Sequence, residues 1–407
     1  MLLYKRIINR IRYGEGIVTE IYGVNIGKGI EITLPSSWYL DDEIFQLERE
    51  HIFMKEWMCV GRAEDWIGPG DSKTIDVLGE SIIILRNQEG AFRAFYNVCV
   101  HRGARICKSD NDLGPDRLPV TGGVIKRKHI MCPYHAWTYD LNGKLISAPN
   151  MTEEMGFEKD KINLHPVLID TWGGFVFINL TPETAHPFEE HIKNLKKNFS
   201  NYPLEELRVA KTIHYDIDAN WKVICENYNE CYHCGPVHPE LCQIVPAFKQ
   251  NGGADLDWDR GIPHREGADT FTPSGTTTRR AFPDLNEDEQ TRHKGELLYP
   301  NMLMSFAKDH VAVFIFIPTS AGHTKLDCHF LFEPFEMEKE DFDGSDAIDF
   351  WHLVNRQDWN ICERVQQGMS ARVHKRGMFS PMEDWNLDIR KYVTNRIGAF
   401  VPPELSN

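Results

Sequence analysis

The chain has 407 residues, 42% of them hydrophobic and 26% charged, which is the profile of a globular protein of about two domains and excludes a fibrous or disordered chain. Lys and Arg number 45 against 60 Asp and Glu, and the formal net charge of −15 argues against a broad nucleic-acid or anionic-membrane surface. No apolar run approaches the roughly 20 residues that a membrane-spanning helix requires. Ten cysteines without a secretion signal read as reduced thiols or metal ligands of a cytoplasmic protein.

Residues 1–34 are basic at the start and carry Gly at 14, 16, 23, 27 and 29, so they read as a loosely structured extension. Asp41–Trp57 has helical spacing of Ile44, Phe45, Leu47, Ile52 and Phe53, with Ser36 or Asp41 as the cap. From Met58 to about Phe177 the pattern turns to short strands: Ser81–Leu85, Ala91–Asn97, Ala136–Leu141 and Gly174–Asn179. LNGK at 141–144 predicts a tight hairpin. Pro182–Asn201 is polar and helical, and a plausible boundary. Ala219–Cys234 has a helical pattern that Pro236 is expected to end. The Gly-, Pro- and Asp-rich stretch Ala254–Leu298 predicts a functional loop or lid, or partial disorder. Asn301–Ser305, Val311–Ile317 and Lys325–Phe335 predict adjacent antiparallel strands, and Asp346–Met369 a long helix. The expected class is α+β. A β-rich domain, with the helix before it, takes residues 35–182, and a sheet with helices against it takes 183–407.

Two constellations carry chemistry. The first is Cys99-x-His101 followed by Cys132-x-x-His135. Two thiolates and two imidazoles can bind tetrahedral zinc or a [2Fe-2S] cluster with the thiolates on one iron and the imidazoles on the other. Each knuckle supplies one Cys and one His, which suits two irons side by side. Structural zinc is the competing reading. The second is Glu230-x-x-His233-x4-His238. On an unbroken helix five residues turn about 500°, which leaves His233 and His238 about 140° apart. A chain break at Pro236 brings His238 back, while Glu230 and His233, three apart, are expected on one helix face. Two His and one carboxylate form the facial triad of a non-haem Fe(II) site with positions open to O2. Asp358 in NRQDWNICERVQQG is the best third ligand and Glu363 the alternative. Cys225, Cys231 and Cys234 read as buried small apolar side chains, and Cys107 as a neighbour of the cluster that does not ligate it. No string matches a dinucleotide or phosphate-loop fingerprint, so electrons must arrive from outside.

The strings NVCVHRGARIC (97–107) and CPYHAWTYDLNGKL (132–145) resemble the two cluster loops of the Rieske non-haem iron oxygenases. ENYNECYHCGPVHPEL (226–241) resembles that family's iron motif, so the resemblance spans roughly residues 35–400. It implies a Rieske domain and a helix-grip catalytic domain. Cys99, His101, Cys132 and His135 match the cluster ligands, and His233, His238 and Asp358 the mononuclear iron ligands. Glu230 matches the acidic residue that links one subunit's cluster to its neighbour's iron. A homotrimer follows from the resemblance. So does a separate ferredoxin or flavin reductase that brings electrons from NAD(P)H. Glu at the link, with LYPN, NRQDW and ERVQ, resembles the glycine betaine, choline and carnitine monooxygenase branch. The implied reaction is O2-dependent hydroxylation or N-demethylation of a small quaternary ammonium compound. An aromatic-ring dioxygenase or O-demethylase is the runner-up, and a non-catalytic electron carrier the reading from another class. Two departures stand out: Ala136 replaces the family's usual Gly, and the loop between His101 and Cys132 is longer than usual, with a surplus over about 108–129. The proposed walls for an ammonium cage are Tyr228, Tyr232, Trp258, Phe271, Tyr299, Phe306 and Phe316.

Overall fold

Runs of β-branched and aromatic residues between turn signals make the first half a sheet. In the computed structural model, which describes residues 20–21, 24–25, 30–108, 124–251 and 256–405, a single helical turn at Ser37–Leu40 leads into helix α1 (Asp42–Glu48). The Asp41 side chain caps it by accepting from the Glu43 amide at 2.8 Å. Ten strands follow: β1 (Met58–Arg62), β2 (Asp71–Val77), β3 (Glu80–Arg86), β4 (Phe92–Tyr96), β5 (Ile125–Lys126), β6 (Ile130–Met131), β7 (Thr138–Tyr139), β8 (Leu145–Ser147), β9 (Pro166–Trp172) and β10 (Phe175–Asn179). Seven of them form one antiparallel sheet in the order β1-β10-β9-β4-β3-β2-β5, and β8-β7-β6 form a second. Ile82, Ile83, Ile84 and Leu85 of β3 are all fully buried, so this strand is covered on both faces. The predicted hairpin joins β7 to β8. Asp140 accepts from the amides of Asn142 and Lys144, and Gly143 supplies the positive φ of 84°. A Cβ at Gly143 would strike the Phe95 ring.

The second half is built on a six-stranded antiparallel sheet. Its strands are β11 (Arg208–Ile217), β12 (Ile262–Pro263), β13 (Arg292–Leu298), β14 (Met302–Phe306), β15 (Val311–Ser320) and β16 (His323–Phe332), in the order β11-β16-β15-β14-β13-β12. Helices α2 (Trp221–Tyr228), α3 (Cys234–Val237), α4 (Pro239–Ile244), α5 (Ser345–Met369) and α6 (Asn386–Ile397) accompany it, with shorter ones at Pro246–Asn251 and Pro334–Met337. Ala347, Phe350, Trp351, Val354, Trp359 and Cys362 form the buried stripe of α5, at the three-to-four spacing that one helix face requires. The class is α+β. The segment before β1 joins the two halves through a fully buried ion pair, Glu48 with Lys222 at 2.5 Å, to which Trp221 Nε1 also donates at 2.8 Å.

Several expectations need correction. The helix expected over Ala219–Cys234 stops at Tyr228, and Pro236 lies inside α3 rather than ending a helix. Proline is tolerated there because an amide in a helix's first turn has no intrahelical acceptor to lose. Pro182–Asn201 holds two short helices, Phe188–His191 and Lys193–Asn198. Within the stretch expected to be a loop, 292–298 is strand β13. The residues before it are anchored by Arg279 on Asp309 at 2.8 Å and Arg280 on Glu333 at 2.7 Å. Of the extension at 1–34, Glu31–Ile32 pairs with Met378–Phe379, and most of the rest lies outside the described residues. Residues 109–123 of the long cluster-domain loop also lie outside them.

Candidate metal centres and cavity

The two cluster loops share one backbone design. The Cys99 amide donates to the Ala104 carbonyl at 2.8 Å and the Gly103 amide to the Cys99 carbonyl at 2.9 Å. In the second loop the Cys132 amide donates to the Trp137 carbonyl at 2.8 Å and the Ala136 amide to the Cys132 carbonyl at 3.1 Å. Both loops therefore turn over five residues, and the fifth is left-handed in each: Gly103 at φ 70° and Ala136 at φ 58°. Cys99 and Cys132 are buried, while His135 is exposed and His101 intermediate. The two imidazole rings are 4.7 Å apart, and Trp137 stacks on His101 at 4.7 Å. The Tyr139 hydroxyl lies 3.2 Å from Cys99 Sγ. Buried thiols beneath surface imidazoles fit a Rieske cluster, which keeps its thiolates dry and presents its imidazole N–H groups to a partner. Cys107 packs in the core beside this site, and its carbonyl accepts from Asn97.

The second site forms where α2 gives way to α3. Glu230 is not on a helix: its carboxylate caps the turn by accepting from the Tyr232 and His233 amides, and Oε1 accepts from His233 Nδ1 at 2.6 Å. His238 sits between α3 and α4, and its Nδ1 donates to Gln357 Oε1 at 2.8 Å. With both Nδ1 atoms engaged, both Nε2 atoms turn toward Asp358 on α5. His238 Nε2 is 2.7 Å from Asp358 Oδ1, and His233 Nε2 is 3.4 Å from it. Ligand atoms from His233, His238 and Asp358 all lie within 4.8 Å of one another, a spacing that a single divalent ion can span. Burial alone would lower the pKa of His233, but Asp358 and Glu230 outweigh it and raise it to about 10. This surplus of negative charge is what a bound cation would neutralise. Glu363 stands apart, accepting from the Asp218 amide at 3.3 Å. Cys231 and Cys234, expected as separate thiols, are joined by a disulfide with Cα atoms 4.8 Å apart. The turn between the helices folds the three-residue spacing back on itself. Cys225 is a free, buried cysteine.

These side chains border a cavity of about 400 Å³. Tyr228, Trp258, Phe271 and Tyr299 line it as expected, joined by Phe314 and Trp351. Phe306, Phe316 and Tyr232 do not line it. Strand alternation turns Phe306 into the core, while Leu303 and Ser305 of the same strand face the cavity. Phe316 is core and Tyr232 is exposed. Sequence reasoning missed Gln357, whose only signal was its place beside Asp358. It also missed Glu226, to which Tyr39 donates at 2.5 Å. A second His and carboxylate group, Glu56 with His186 and His191, lies at another cavity, but Arg396 already pairs with Glu56 at 2.6 Å.

Comparison with known proteins agrees with this geometry. Residues 56–168 match the family described as Rieske [2Fe-2S] domain, and residues 204–399 that described as ring hydroxylating alpha subunit (catalytic domain). The carnitine monooxygenase oxygenase subunit of Acinetobacter pittii is 30% identical over 348 residues, covering 84% of this chain and 86% of that one. The glycine betaine monooxygenase oxygenase subunit of Pseudomonas aeruginosa is 28% identical over 380 residues, covering 86% and 85%. Among solved structures, the quaternary ammonium Rieske monooxygenase CntA superposes with a TM-score of 0.68 at 26% identity, covering 90% of this chain and 96% of that one. A naphthalene 1,2-dioxygenase from Rhodococcus, at 18% identity and a TM-score of 0.67, shares the fold. No helix among the described residues is long and apolar enough to cross a membrane. The chain belongs to the Rieske non-haem iron oxygenases, as a catalytic subunit with a [2Fe-2S] cluster and a mononuclear iron.

Proposed function

We propose that this oxygenase hydroxylates or N-demethylates a small quaternary ammonium compound with O2 and electrons from a separate reductase. The observation that carries the reading is that His233, His238 and Asp358 line one cavity together with Tyr228, Trp258, Phe271 and Trp351. Aromatic faces attract a trimethylammonium group, and these rings line the same cavity as the triad. Relatives named for carnitine and glycine betaine support the same reading. In this proposal Cys99, His101, Cys132 and His135 hold the cluster, and His233, His238 and Asp358 hold the iron. The domains divide at 182/183, after a helix-bearing segment from residue 35.

The iron, when bound, supplies the centre at which O2 is reduced. Glu230 fixes the His233 ring from its Nδ1 side, and Gln357 does the same for His238. The aromatic walls hold the methyl carbon near the triad and exclude water. One O2, two electrons and two protons convert an N-methyl group to N-hydroxymethyl and release one water. The N-hydroxymethyl ammonium then breaks its C–N bond, leaving the amine, formaldehyde and a proton. None of the described cluster-loop residues lines the cavity, which supports a homotrimer in which one subunit's cluster serves its neighbour's iron. The exposed Tyr134 and His135 would face that neighbour, with Glu230 as the link.

The test is substrate-dependent O2 uptake by the iron-loaded protein with a surrogate reductase, using trimethylammonium compounds against aromatic acids and ethers. Uptake with a trimethylammonium compound and three irons per chain is expected. Coupled uptake with aromatic compounds alone would establish the ring-hydroxylase or O-demethylase reading instead, and two irons per chain an electron carrier.

A further inference from the structure

One wall of the cavity is held from behind by a buried polar chain. Trp351 lines the cavity from α5, about two helical turns before Asp358 and so on the same helix face. Its ring centroid lies 4.9 Å from that of Phe271 and 6.4 Å from that of Phe314, and both rings line the cavity too. Its indole Nε1 donates to His310 Nε2 at 3.1 Å. His310 is fully buried in the turn that joins β14 to β15, which the Ala307 amide closes by donating to the His310 carbonyl at 3.0 Å. An indole N–H can only donate, so His310 Nε2 carries no proton and the ring's proton is on Nδ1. That atom lies 3.2 Å from Asp309 Oδ1. Asp309 also accepts from the Thr270 hydroxyl, and Arg279 Nε donates to its Oδ2 at 2.8 Å. Arg279 ties the chain back to the first turn of α5, with Nη1 2.7 Å from Asp346 Oδ1. Burial alone would raise the Asp309 pKa, but His310, Arg279 and Thr270 outweigh it and hold it well below the usual carboxylate range. An ionised Asp309 thus faces the Nδ1 proton and keeps the His310 lone pair turned to Trp351.

We propose that His310 is a positioning residue for the substrate: it fixes the indole of Trp351 in one orientation and so sets the shape of the cavity wall that the substrate meets. The inference goes beyond the proposed function and needs only that this cavity be the substrate's. Asp309 is already balanced by Arg279, so the charge at this turn would be satisfied without a histidine. His310 instead gives its one acceptor to a residue of the cavity wall. Without that acceptor the buried indole N–H would be stranded, and the ring would turn toward the cavity, where water or substrate atoms can accept from it. A ring turned inward occupies room that the substrate needs. That loss falls on the ground state and the transition state alike, so it shows in KM rather than in kcat.

The test is steady-state O2 uptake by the iron-loaded protein with a surrogate reductase, on choline, glycine betaine, L-carnitine and γ-butyrobetaine, with aromatic acids as a second arm. His310→Phe fills the ring's space but offers no lone pair, while Asp309 keeps Arg279 and Thr270. It is expected to raise KM about tenfold and to change kcat less than about twofold, with three irons per chain and an unchanged cluster spectrum. His310→Gln keeps an acceptor and should hold KM within about threefold of the parent. In a Trp351→Phe background, which has no indole N–H, His310→Phe should move KM by less than about twofold. Should His310→Phe not fold, His310→Leu takes its place. A merely structural role would reduce the number of active sites, which lowers kcat and leaves KM unchanged. That result would overturn the inference, as would an equal rise in KM in the Trp351→Phe background or a Gln variant no better than Phe. Turnover of aromatic acids alone would sink the quaternary ammonium reading, and the same comparison made on those acids would still decide the role of His310.

Discussion

Ala136 holds a left-handed backbone at φ 58° that glycine adopts without penalty and that costs an L-residue roughly 1 kcal/mol or more. Its methyl group is exposed, so it gains no packing in return. Ala136→Gly is therefore expected to stabilise the protein by about 1 kcal/mol, read as a raised unfolding midpoint with the cluster spectrum retained. Ala136 stood out in the sequence as a departure from the family's usual Gly, and the matched loop at Gly103 shows why glycine is the natural choice. Glu230 was legible as a partner of His233, but the reason was wrong: a turn, not a shared helix face, brings them together. Because its oxygens also accept from two amides, Glu230→Ala is expected to loosen the turn, whereas Glu230→Gln keeps an acceptor there. The Gln variant should retain three irons and lose tenfold or more in turnover. Iron content and O2 uptake, measured on one sample, check both halves of that expectation. Gln357 had no sequence signature. Its amide fixes a ligand ring, so Gln357→Ala is expected to weaken iron binding by about 10–100-fold in a chelator competition.

At the scale of elements, strands with full burial or clean alternation were readable, and those that broke the pattern were not. β11 mixes exposed and half-buried positions at a sheet edge, and β13 is charged at its start and interrupted by Gly295. Helix α5 was readable almost to its ends because its apolar stripe repeats through six buried positions. The helix α2 shows what propensity hides, since Lys222 on it is fully buried against Glu48. Removing one member of such a pair strands the other in a dry interior. Lys222→Met is expected to destabilise by about 3–5 kcal/mol in denaturant titration. One turn on, burial raises the pKa of Glu226 from 4.5 to about 7, although Tyr39 and Lys222 pull it down. A raised carboxyl pKa means the fold favours the protonated form. That contribution is fully present below pH 4.5 and is lost as pH rises through about 7. Its full size is about 3 kcal/mol. Glu226→Gln should flatten this part of the stability profile between pH 5 and 8. An unchanged slope would assign the pH dependence to other groups.

For the whole molecule, the motifs announced both metal centres, but not the cavity. Its walls come from α2, the turn before α3, β13, β14, β15 and α5, segments far apart in sequence that only the folded sheet brings together. That is why three of seven expected aromatic walls proved to be core or surface. None of the described residues of the cluster loops lines this cavity within their own chain. In a trimer this makes damage complementary. A chain lacking Cys99 would still offer an intact iron site, and a chain lacking His233 an intact cluster. Each pure protein should be inactive. Co-assembled in equal amounts, they should recover about a quarter of normal turnover, since half the iron sites are intact and half of their neighbours carry a working cluster. Two broken genes would make one working enzyme.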